Sequence, residues 1–314
     1  MNKRLIILAV FFGGILSKNY AQQDKLVSHF MYDKMSVNPG ETGIDKGICA
    51  TTMYRNQWDK VNGAPNSAIF NLEANLKRWI PVNLGLSFYH DAIGFNRQNN
   101  LLLNIAYPLE IGSAGTLQFG VGVGMINLSN SPVWVPPTTL VDNTLPTGFG
   151  ATNLDLNFGV YWKGAQNYYA GLSSTHLSES VLKHKVNSNL TQTFESKRHY
   201  YLMGGKRFDQ IIGEDGDIDV QLQVQTDFIK TSATINARYF YRNMLYGGLA
   251  YRLSDAVGIM VGWMPIQNFT VGYNYDITTN KFASISRGSH EILLKYCYHI
   301  PPPKITRSKH PRWL

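Results

Sequence analysis

The histidines and one Ser-His-Glu run are the residues of this chain whose types could support hydrolysis or metal binding. The run Ser289-His290-Glu291 is contiguous, and neighbouring residues on a strand point to opposite faces, so the three cannot form a catalytic triad with one another. No pair of the eight histidines has metal-ligand spacing, and no serine lies in a nucleophile-elbow context. We therefore predict that the protein is not an enzyme and has no catalytic or metal site.

The glycine run Gly120-Val121-Gly122-Val123-Gly124 superficially resembles a phosphate-binding loop. The dinucleotide fingerprint would need a glycine at the next position, which is Met125, and a helix after it. Small residues that face the interior of a barrel explain the run better. We predict no cofactor.

The two cysteines, Cys49 and Cys297, have neither metal-binding nor redox-motif spacing. They could pair only if the first and last strands of a sheet met, as closure of a barrel would arrange. We favour the simpler interpretation that both are unpaired small residues within strands.

Charged residues at predicted strand positions leave two interpretations open. They could line a polar lumen that admits a solute or a partner segment, or they could form a static hydrogen-bonded network that fills the barrel. These residues are Arg55, Asp219, Asp227, Glu291 and Lys295.

The elements that carry these residues are predicted to be β-strands, because apolar and polar residues alternate with period 2. In 116–125, Leu117, Phe119 and Val121 alternate with Gln118 and Gly120. We predict about fourteen such strands, at 47–57, 67–75, 83–90, 99–107, 116–126, 152–162, 168–175, 198–206, 218–228, 233–242, 246–253, 256–264, 269–276 and 289–297.

Three features favour a transmembrane antiparallel β-barrel of the outer-membrane type over a soluble β-sandwich. The strands have the length of about nine to eleven residues that a tilted strand needs to cross a bilayer. Aromatic residues gather at strand ends, and the faces opposite the apolar rows hold Gly, Gln, Asn and acids. The three longest connections, 127–151, 176–197 and 277–288, all join an odd to an even strand, which places them outside the cell if both termini are periplasmic.

The rest of the chain divides around this barrel. Lys3, Arg4 and the apolar stretch 5–16 indicate a signal peptide over 1–21. We predict a periplasmic N-terminal segment at 22–46, the barrel at 47–298 and a basic periplasmic tail at 299–314. The formal net charge is +8, without the basic and aromatic interleaving of a nucleic-acid surface. The predicted location is the outer membrane, as an integral protein.

Local motifs along nearly the whole mature chain resemble the PorP/SprF family of the Bacteroidetes type IX secretion and gliding-motility system. The most specific is Tyr54-Arg55-Asn56-Gln57-Trp58 followed by Gly63-Ala64-Pro65. The family usually has alanine after the Asn38-Pro39 pair, where this chain has Gly40-Glu41-Thr42. The other motifs are 29–32, 91–94, 171–173, 198–201, 272–276 and 288–292.

The resemblance implies an outer-membrane barrel that works with other type IX components. Some family members associate with the periplasmic ring and with peptidoglycan-binding components. Others accept the C-terminal targeting domain of a large surface adhesin and hold it at the cell surface. We therefore expect a partner protein that is secreted or surface-anchored. The alternative is a diffusion channel or solute porin.

Candidate partner-binding residues lie in the long connections and in the tail. Those of the connections are apolar: Val133, Trp134, Val135, Phe149 and Phe194. They could capture an exported protein or fold over the barrel mouth, and the resemblance favours capture. The tail offers a solvated basic end or a docking peptide, through Lys304, Arg307, Arg312 and Trp313.

Overall fold

The computed structural model describes residues 25–45, 47–133, 148–185, 191–299 and 301, and in it fourteen strands form one closed antiparallel barrel. The prediction of a barrel of about fourteen strands is confirmed. The barrel strands are β1 (Ile48–Asn56), β2 (Asn66–Ala74), β3 (Asn83–Ile93), β4 (Asn96–Ile111), β5 (Gly115–Asn130), β6 (Phe149–Gly164), β7 (Tyr168–Thr175), β10 (His199–Phe208), β11 (Gly216–Thr226), β12 (Thr231–Tyr241), β13 (Leu245–Arg252), β14 (Ala256–Trp263), β15 (Phe269–Thr278) and β16 (Ser289–Tyr298). The signal-peptide prediction, 1–21, lies outside the described residues.

Alternation along each strand separates an apolar outer face from a polar inner face. On β4, Leu101 and Leu103 are exposed on the outer surface, whereas the alternate residues Leu102 and Asn104 are buried. The cross-strand neighbours of the two exposed leucines on β5, Met125 and Val123, are exposed apolar residues too. An apolar belt of this kind suits a lipid phase.

The sheet closes where the first strand meets the last. β1 pairs with β16 from Ile48↔Tyr298 to Asn56↔His290, so no edge of the barrel sheet is left open. This register sets Cys49 directly opposite Cys297, and the two form a disulfide. The prediction of unpaired cysteines is wrong, because closure brings together residues that are 248 positions apart in sequence.

The two ends of the barrel differ in their connections. At the end that we call the loop end lie the long connections 131–148, 176–198 and 279–288. The second of these contains a two-stranded hairpin, β8 (Val181–Lys185) and β9 (Thr191–Glu195), that sequence reasoning missed. At the other end, the turn end, lie shorter connections, the start of β1 and the end of β16.

Several strands extend beyond their predicted bounds. The predicted segments 99–107, 116–126 and 152–162 are the middles of β4, β5 and β6, which have 16 residues each. Their hydrogen-bonded ladder continues past the apolar stretch, where the alternating pattern that predicted them fades. In contrast, β11 ends at Thr226, so Asp227 is a turn residue, whose carboxylate accepts from the backbone N–H of Ile229 at 2.9 Å.

Short helical turns precede the barrel. The α-helix α1 is a single turn, Lys34–Val37, between 3-10 turns at Phe30–Tyr32 and Pro39–Glu41. Within the described part of the chain, no helix has both the length and the apolar character to cross a membrane.

Candidate functional site

Residues 25–45, which we call the luminal segment, lie inside the barrel. Phe30, Met35 and Val37 are buried, and side chains of the segment contact strands from every part of the ring. Its hydrogen-bond partners include residues of β1, β2, β6, β7, β12, β15 and β16. The sequence led us to expect a periplasmic segment over 22–46, whereas the structure places its described part within the lumen. Because strands around the closed ring contact the segment, residues 25–45 lie in the lumen and not in the periplasm.

A cluster of buried charges holds the segment near the loop end. The carboxylate of Glu291 accepts hydrogen bonds from the backbone N–H groups of Ser28, at 2.9 Å, and His29, at 2.7 Å. The imidazole Nδ1 of His29 lies 2.7 Å from the same carboxylate. Arg55 donates to Glu291 at 3.0 Å and to Asp276 at 2.7 Å. We call Ser28, His29, Arg55, Asp276, Glu291 and the neighbouring Arg252 the anchor cluster.

The anchor cluster answers one question that the sequence left open. Arg55 and Glu291 belong to a hydrogen-bonded network that fixes the chain's own segment, and they do not line an open passage. Buried charges of this kind are tolerated because each has a counter-charge and further hydrogen bonds. Asp219 behaves similarly, since it pairs with Arg238, which also donates to Tyr32 of the luminal segment at 2.9 Å.

Glycines on the inner face of the barrel make room for the luminal segment. A Cβ on Gly120 would lie 2.1 Å from the carbonyl carbon of Pro39, and one on Gly159 would lie 2.0 Å from Oδ1 of Asn38. The side-chain nitrogen of Asn38 also donates to the carbonyl of Val160 at 3.1 Å. Sequence reasoning identified Gly120 as a small residue facing the lumen but not the segment that it contacts.

Packing between the segment and the wall leaves little free space toward the loop end. Beside Lys25, Tyr89 and Asn100 lies a cavity with a volume of about 20 Å³, which is room for about one water molecule. Lys25 is itself held by Asp33, at 2.9 Å, and by Ser36. The described residues therefore fill this half of the lumen.

Toward the turn end the lumen widens into a cavity of about 1800 Å³, which we call the vestibule. Its floor is the luminal segment, through Tyr32, Lys34, Ile44 and Asp45. Eight basic and five acidic residues line it, a formal excess of three positive charges: Lys34, Lys77, Arg78, Lys163, Lys206, Arg207, Arg238 and Lys295 against Asp45, Glu110, Asp209, Asp217 and Asp219. Aromatic side chains lie among these charged residues.

The floor of the vestibule carries a cation that is largely shielded from water. The ammonium of Lys34 lies 4.3 Å from the ring centre of Tyr169 and 3.1 Å from the hydroxyl of Tyr161. Burial opposes its charge, yet the neighbouring Tyr161 and Glu41 raise the pKa of Lys34 well above its ordinary value. Burial raises the pKa of Glu41 to about 8, and the nearby carboxylate of Glu73 adds to this. Lys34 therefore stays charged while its acidic neighbour is largely neutral at pH 7.

Asp45 is the acidic residue of the floor that stays ionised. Lys295, at 3.4 Å, lowers the pKa of Asp45 against the effect of burial, and Lys163, at 3.2 Å, lowers it further. One carboxylate thus compensates two lysines. Asp45, Cys49 and Glu73 also bring possible metal-ligand atoms within 4.8 Å of one another. The sulfur of Cys49 is in the disulfide, so it offers no thiolate to a metal.

The rim of the vestibule is apolar and exposed. Trp79, Met244 and Ile266 are 58%, 52% and 63% exposed. Beside them, Arg78 donates to the carbonyl of Pro301 at 3.3 Å, which fixes where the chain leaves the barrel. Sequence reasoning singled out two of the vestibule residues, Asp219 and Lys295, but did not bring the lining together, because the other residues come from many strand ends and share no local motif.

The residues predicted to bind a partner are only partly described. Val133 is 70% exposed just after β5 at the loop end, and Phe149 opens β6 opposite Asn130. Phe194 lies in the hairpin, opposite Leu182 of β8. Outside the described residues lie Trp134, Val135, Lys304, Arg307, Arg312 and Trp313.

Solved structures with the same fold are outer-membrane barrels. The crystal structure of the Ralstonia pickettii toluene transporter TbuX has 11% sequence identity and a TM-score of 0.52, with 85% of this chain and 94% of that chain covered. The CymD monoaromatic hydrocarbon channel has 10% identity and a TM-score of 0.54, with 86% and 93% covered. At such identities the likeness shows the fold alone. A search of curated proteins gives no significant match.

The sequence of this chain also matches a protein family, which the structural likeness alone does not show. The model of the type IX secretion system membrane protein PorP/SprF matches residues 19–296, which include every barrel strand but the last two residues of β16. It confirms the resemblance that the local motifs indicated. The chain therefore belongs to the PorP/SprF family of type IX secretion system membrane proteins, and it is an integral protein of the outer membrane.

Proposed function

We propose that this protein is a non-enzymatic barrel that binds a secreted or cell-surface protein, such as the C-terminal domain of a large adhesin, and supports its export or anchoring. The observation that carries the proposal is the filled lumen. A barrel closed by its own luminal segment suits a binding platform better than a conduit. Family membership supports an association with other type IX secretion components.

The connections suggest how the platform is oriented. Bacterial outer-membrane barrels have short periplasmic turns and longer extracellular loops. By this rule the loop end faces the cell surface and the vestibule faces the periplasm. The exposed Val133 then lies on the side where an exported adhesin would be held, and we propose that Val133, Trp134 and Val135 contact the adhesin. We propose that the basic residues of the tail, Lys304, Arg307 and Arg312, which follow Pro301 in sequence, contact periplasmic components.

A diffusion channel or solute porin is the second candidate, and the size of the vestibule favours it. The filled half of the lumen opposes it, because a solute in the vestibule meets the luminal segment before it reaches the loop end. A channel would need that segment to leave its place.

Surface display of the adhesin tests the leading proposal. We expect Trp134→Asp, combined with Val133→Asp, to lower the amount of adhesin labelled at the cell surface, because a charge in an apolar contact is costly to bury. Phe228→Asp combined with Ile229→Asp is the matched control, since these residues of a different loop-end turn are 80% and 54% exposed. Equal surface labelling in both variants and wild type, together with purification of the barrel alone from native membranes, would contradict the proposal.

A further inference from the structure

The vestibule is a blind chamber. Its lining includes exposed turn residues such as Trp79 and Ile266, so it is continuous with solvent at the turn end. Its floor is the luminal segment, held by the anchor cluster on the far side. A molecule that enters the vestibule can therefore bind there but cannot pass through the described barrel without displacing that segment.

The size of the vestibule indicates the class of its occupant. Small-molecule sites have volumes of about 300–1,000 Å³. The vestibule, at about 1800 Å³, is larger, and its lining comes from nearly every strand end. A chamber of this size fits a folded turn or an extended segment of another polypeptide.

The charges of the vestibule indicate the chemistry of that segment. Each of its acidic residues already has a basic neighbour: Asp45 has Lys163 and Lys295, Glu110 has Lys77, Asp219 has Arg238, and Asp209 and Asp217 share Arg207. The three positive charges in excess therefore face a chamber with low-dielectric walls, which focuses their field on whatever enters. Lys34 is one of these three charges and lies at the floor, with a side chain only 15% exposed and the carboxylate of Glu41 at 3.6 Å.

The chain's own tail does not complement this charge. The residues that follow Pro301 include Lys304, Arg307, Lys309 and Arg312 and no acidic residue. A like-charged segment would be repelled by the vestibule, so residues 302–314 do not suit it as an occupant. The apolar rim at Trp79, Met244 and Ile266 would suit hydrophobic residues beside the acidic ones of an occupant.

We propose that the vestibule binds an acidic polypeptide segment of a periplasmic partner protein, with carboxylates toward Lys34 and Lys163 and apolar residues on the Trp79 rim. The inference rests on the proposed function, because that function supplies the orientation and the role in partner binding. It adds the site, the side of the membrane and the charge of the partner.

Peptide binding to the full-length protein in lipid nanodiscs tests the inference. The probes are three fluorescein-labelled peptides of the same length with one tryptophan each, rich in Glu, in Gln or in Lys. We expect the Glu peptide to bind, the other two to remain free, and added salt to weaken binding because exposed charges are screened. Failure of the Glu peptide to bind, or equal binding of all three, would overturn the inference.

Charge reversal locates the site. The double variant Arg78→Glu/Lys163→Glu should weaken binding of the Glu peptide about tenfold or more, since like charges at an interface are repulsive. The control Arg97→Glu/Lys281→Glu makes the same charge change on exposed residues of the loop end and should bind like wild type. Equal affinities in the two double variants would overturn the inference. Far-ultraviolet circular dichroism confirms that each variant keeps its β-structure.

The two proposals fail separately. If the Glu peptide does not bind while the Val133 and Trp134 changes still lower surface adhesin, the inference is wrong and the proposed function stands. If the peptide binds at the vestibule but those changes leave surface adhesin intact, the adhesin contact is wrong and the vestibule inference stands.

Discussion

At the residue scale, Glu291 is the acceptor on which the luminal segment depends most. One buried carboxylate receives the backbone N–H groups of Ser28 and His29, the His29 ring and the Arg55 guanidinium. Hydrogen bonds to a charged group are stronger than neutral ones. The position at which the segment is held is therefore fixed largely by a strand residue.

We expect Glu291→Gln to loosen the luminal segment. The amide keeps the size of the side chain but removes a charge, which leaves Arg55 with less compensation in a buried place, and breaking such a pair costs about 3–5 kcal/mol. Hydrogen exchange measured by mass spectrometry should be faster over residues 25–33. The control Glu110→Gln removes an exposed ion pair with Lys77, worth about 1 kcal/mol or less. Equal exchange in both variants would contradict the expectation.

Glu41 predicts a dependence of stability on pH. Burial raises its pKa in the folded protein to about 8, above the ordinary carboxyl value of 4.5. Between these values the folded state binds more protons than the unfolded state, so stability falls as the pH rises through this window. The Tm of wild type should therefore fall from pH 6 to pH 9 by more than that of Glu41→Gln, which does not titrate. Parallel Tm curves for the two proteins would argue against a buried, protonated Glu41.

At the element scale, the strands are shaped on their inner face to receive the segment. Gly120 of β5 and Gly159 of β6 leave the space that Pro39 and Asn38 occupy. Gly122 of β5 also lies beside Pro39, whereas a Cβ on Gly124 would meet the backbone carbonyl oxygen of Leu101 on β4 at 1.8 Å. The luminal segment therefore accounts for the first two of the three alternating glycines of β5.

A side chain at Gly120 should displace the segment without opening the barrel wall. A Cβ there would meet backbone atoms of Pro39 and Gly40 at 2.1–2.3 Å, so Gly120→Leu leaves no room for that turn. Limited proteolysis should then cleave within 25–45 while the barrel stays intact. Gly247→Leu is the matched control, because nothing lies within 4 Å of a Cβ at that position. The same protease resistance in both variants would mean that the segment packs elsewhere.

The junction between β1 and β16 also depends on a single contact, which is a disulfide. The disulfide Cys49–Cys297 joins the strands that close the ring and encloses most of the chain. By restricting the unfolded chain, a disulfide stabilises by about 2–4 kcal/mol. We expect Cys49→Ser/Cys297→Ser to unfold at lower urea concentration than wild type, and reductant to lower the wild-type midpoint alone. A wild-type midpoint that does not change with reductant would indicate that the bond adds no stability.

Sequence reasoning predicts the wall of this molecule better than its interior. The alternation in 116–125 predicts a strand and its two faces, because the alternation of apolar and polar residues along the chain shows which face of the sheet each side chain is on. The luminal segment has no such period, and its partners are far away: His29 and Glu291 are 262 positions apart. The pairing of Cys49 with Cys297 and the composite lining of the vestibule likewise depend on closure, which a local pattern does not contain.

At the scale of the whole molecule, the barrel is divided into a filled half and a vestibule. The filled half faces the long connections, and the vestibule faces the short turns, the start of β1 and the end of β16. This division separates the two surfaces that we propose bind partner proteins, one at each end, with the luminal segment between them. An arrangement of this kind can hold one protein outside the membrane and another inside it.

The same division predicts the electrical behaviour of the protein. In a planar lipid bilayer, wild type should show no stable conductance, because the luminal segment occludes the path between vestibule and loop end. Deletion of residues 25–44 removes that occlusion but leaves the strands and the disulfide, so it should give discrete conductance steps. Deletion of 304–314 is the control and should stay closed, since the tail lies beyond the last strand. Steady conductance by wild type, as large as that of the 25–44 deletion, would show that the segment leaves the lumen readily and would bring the channel candidate to first place.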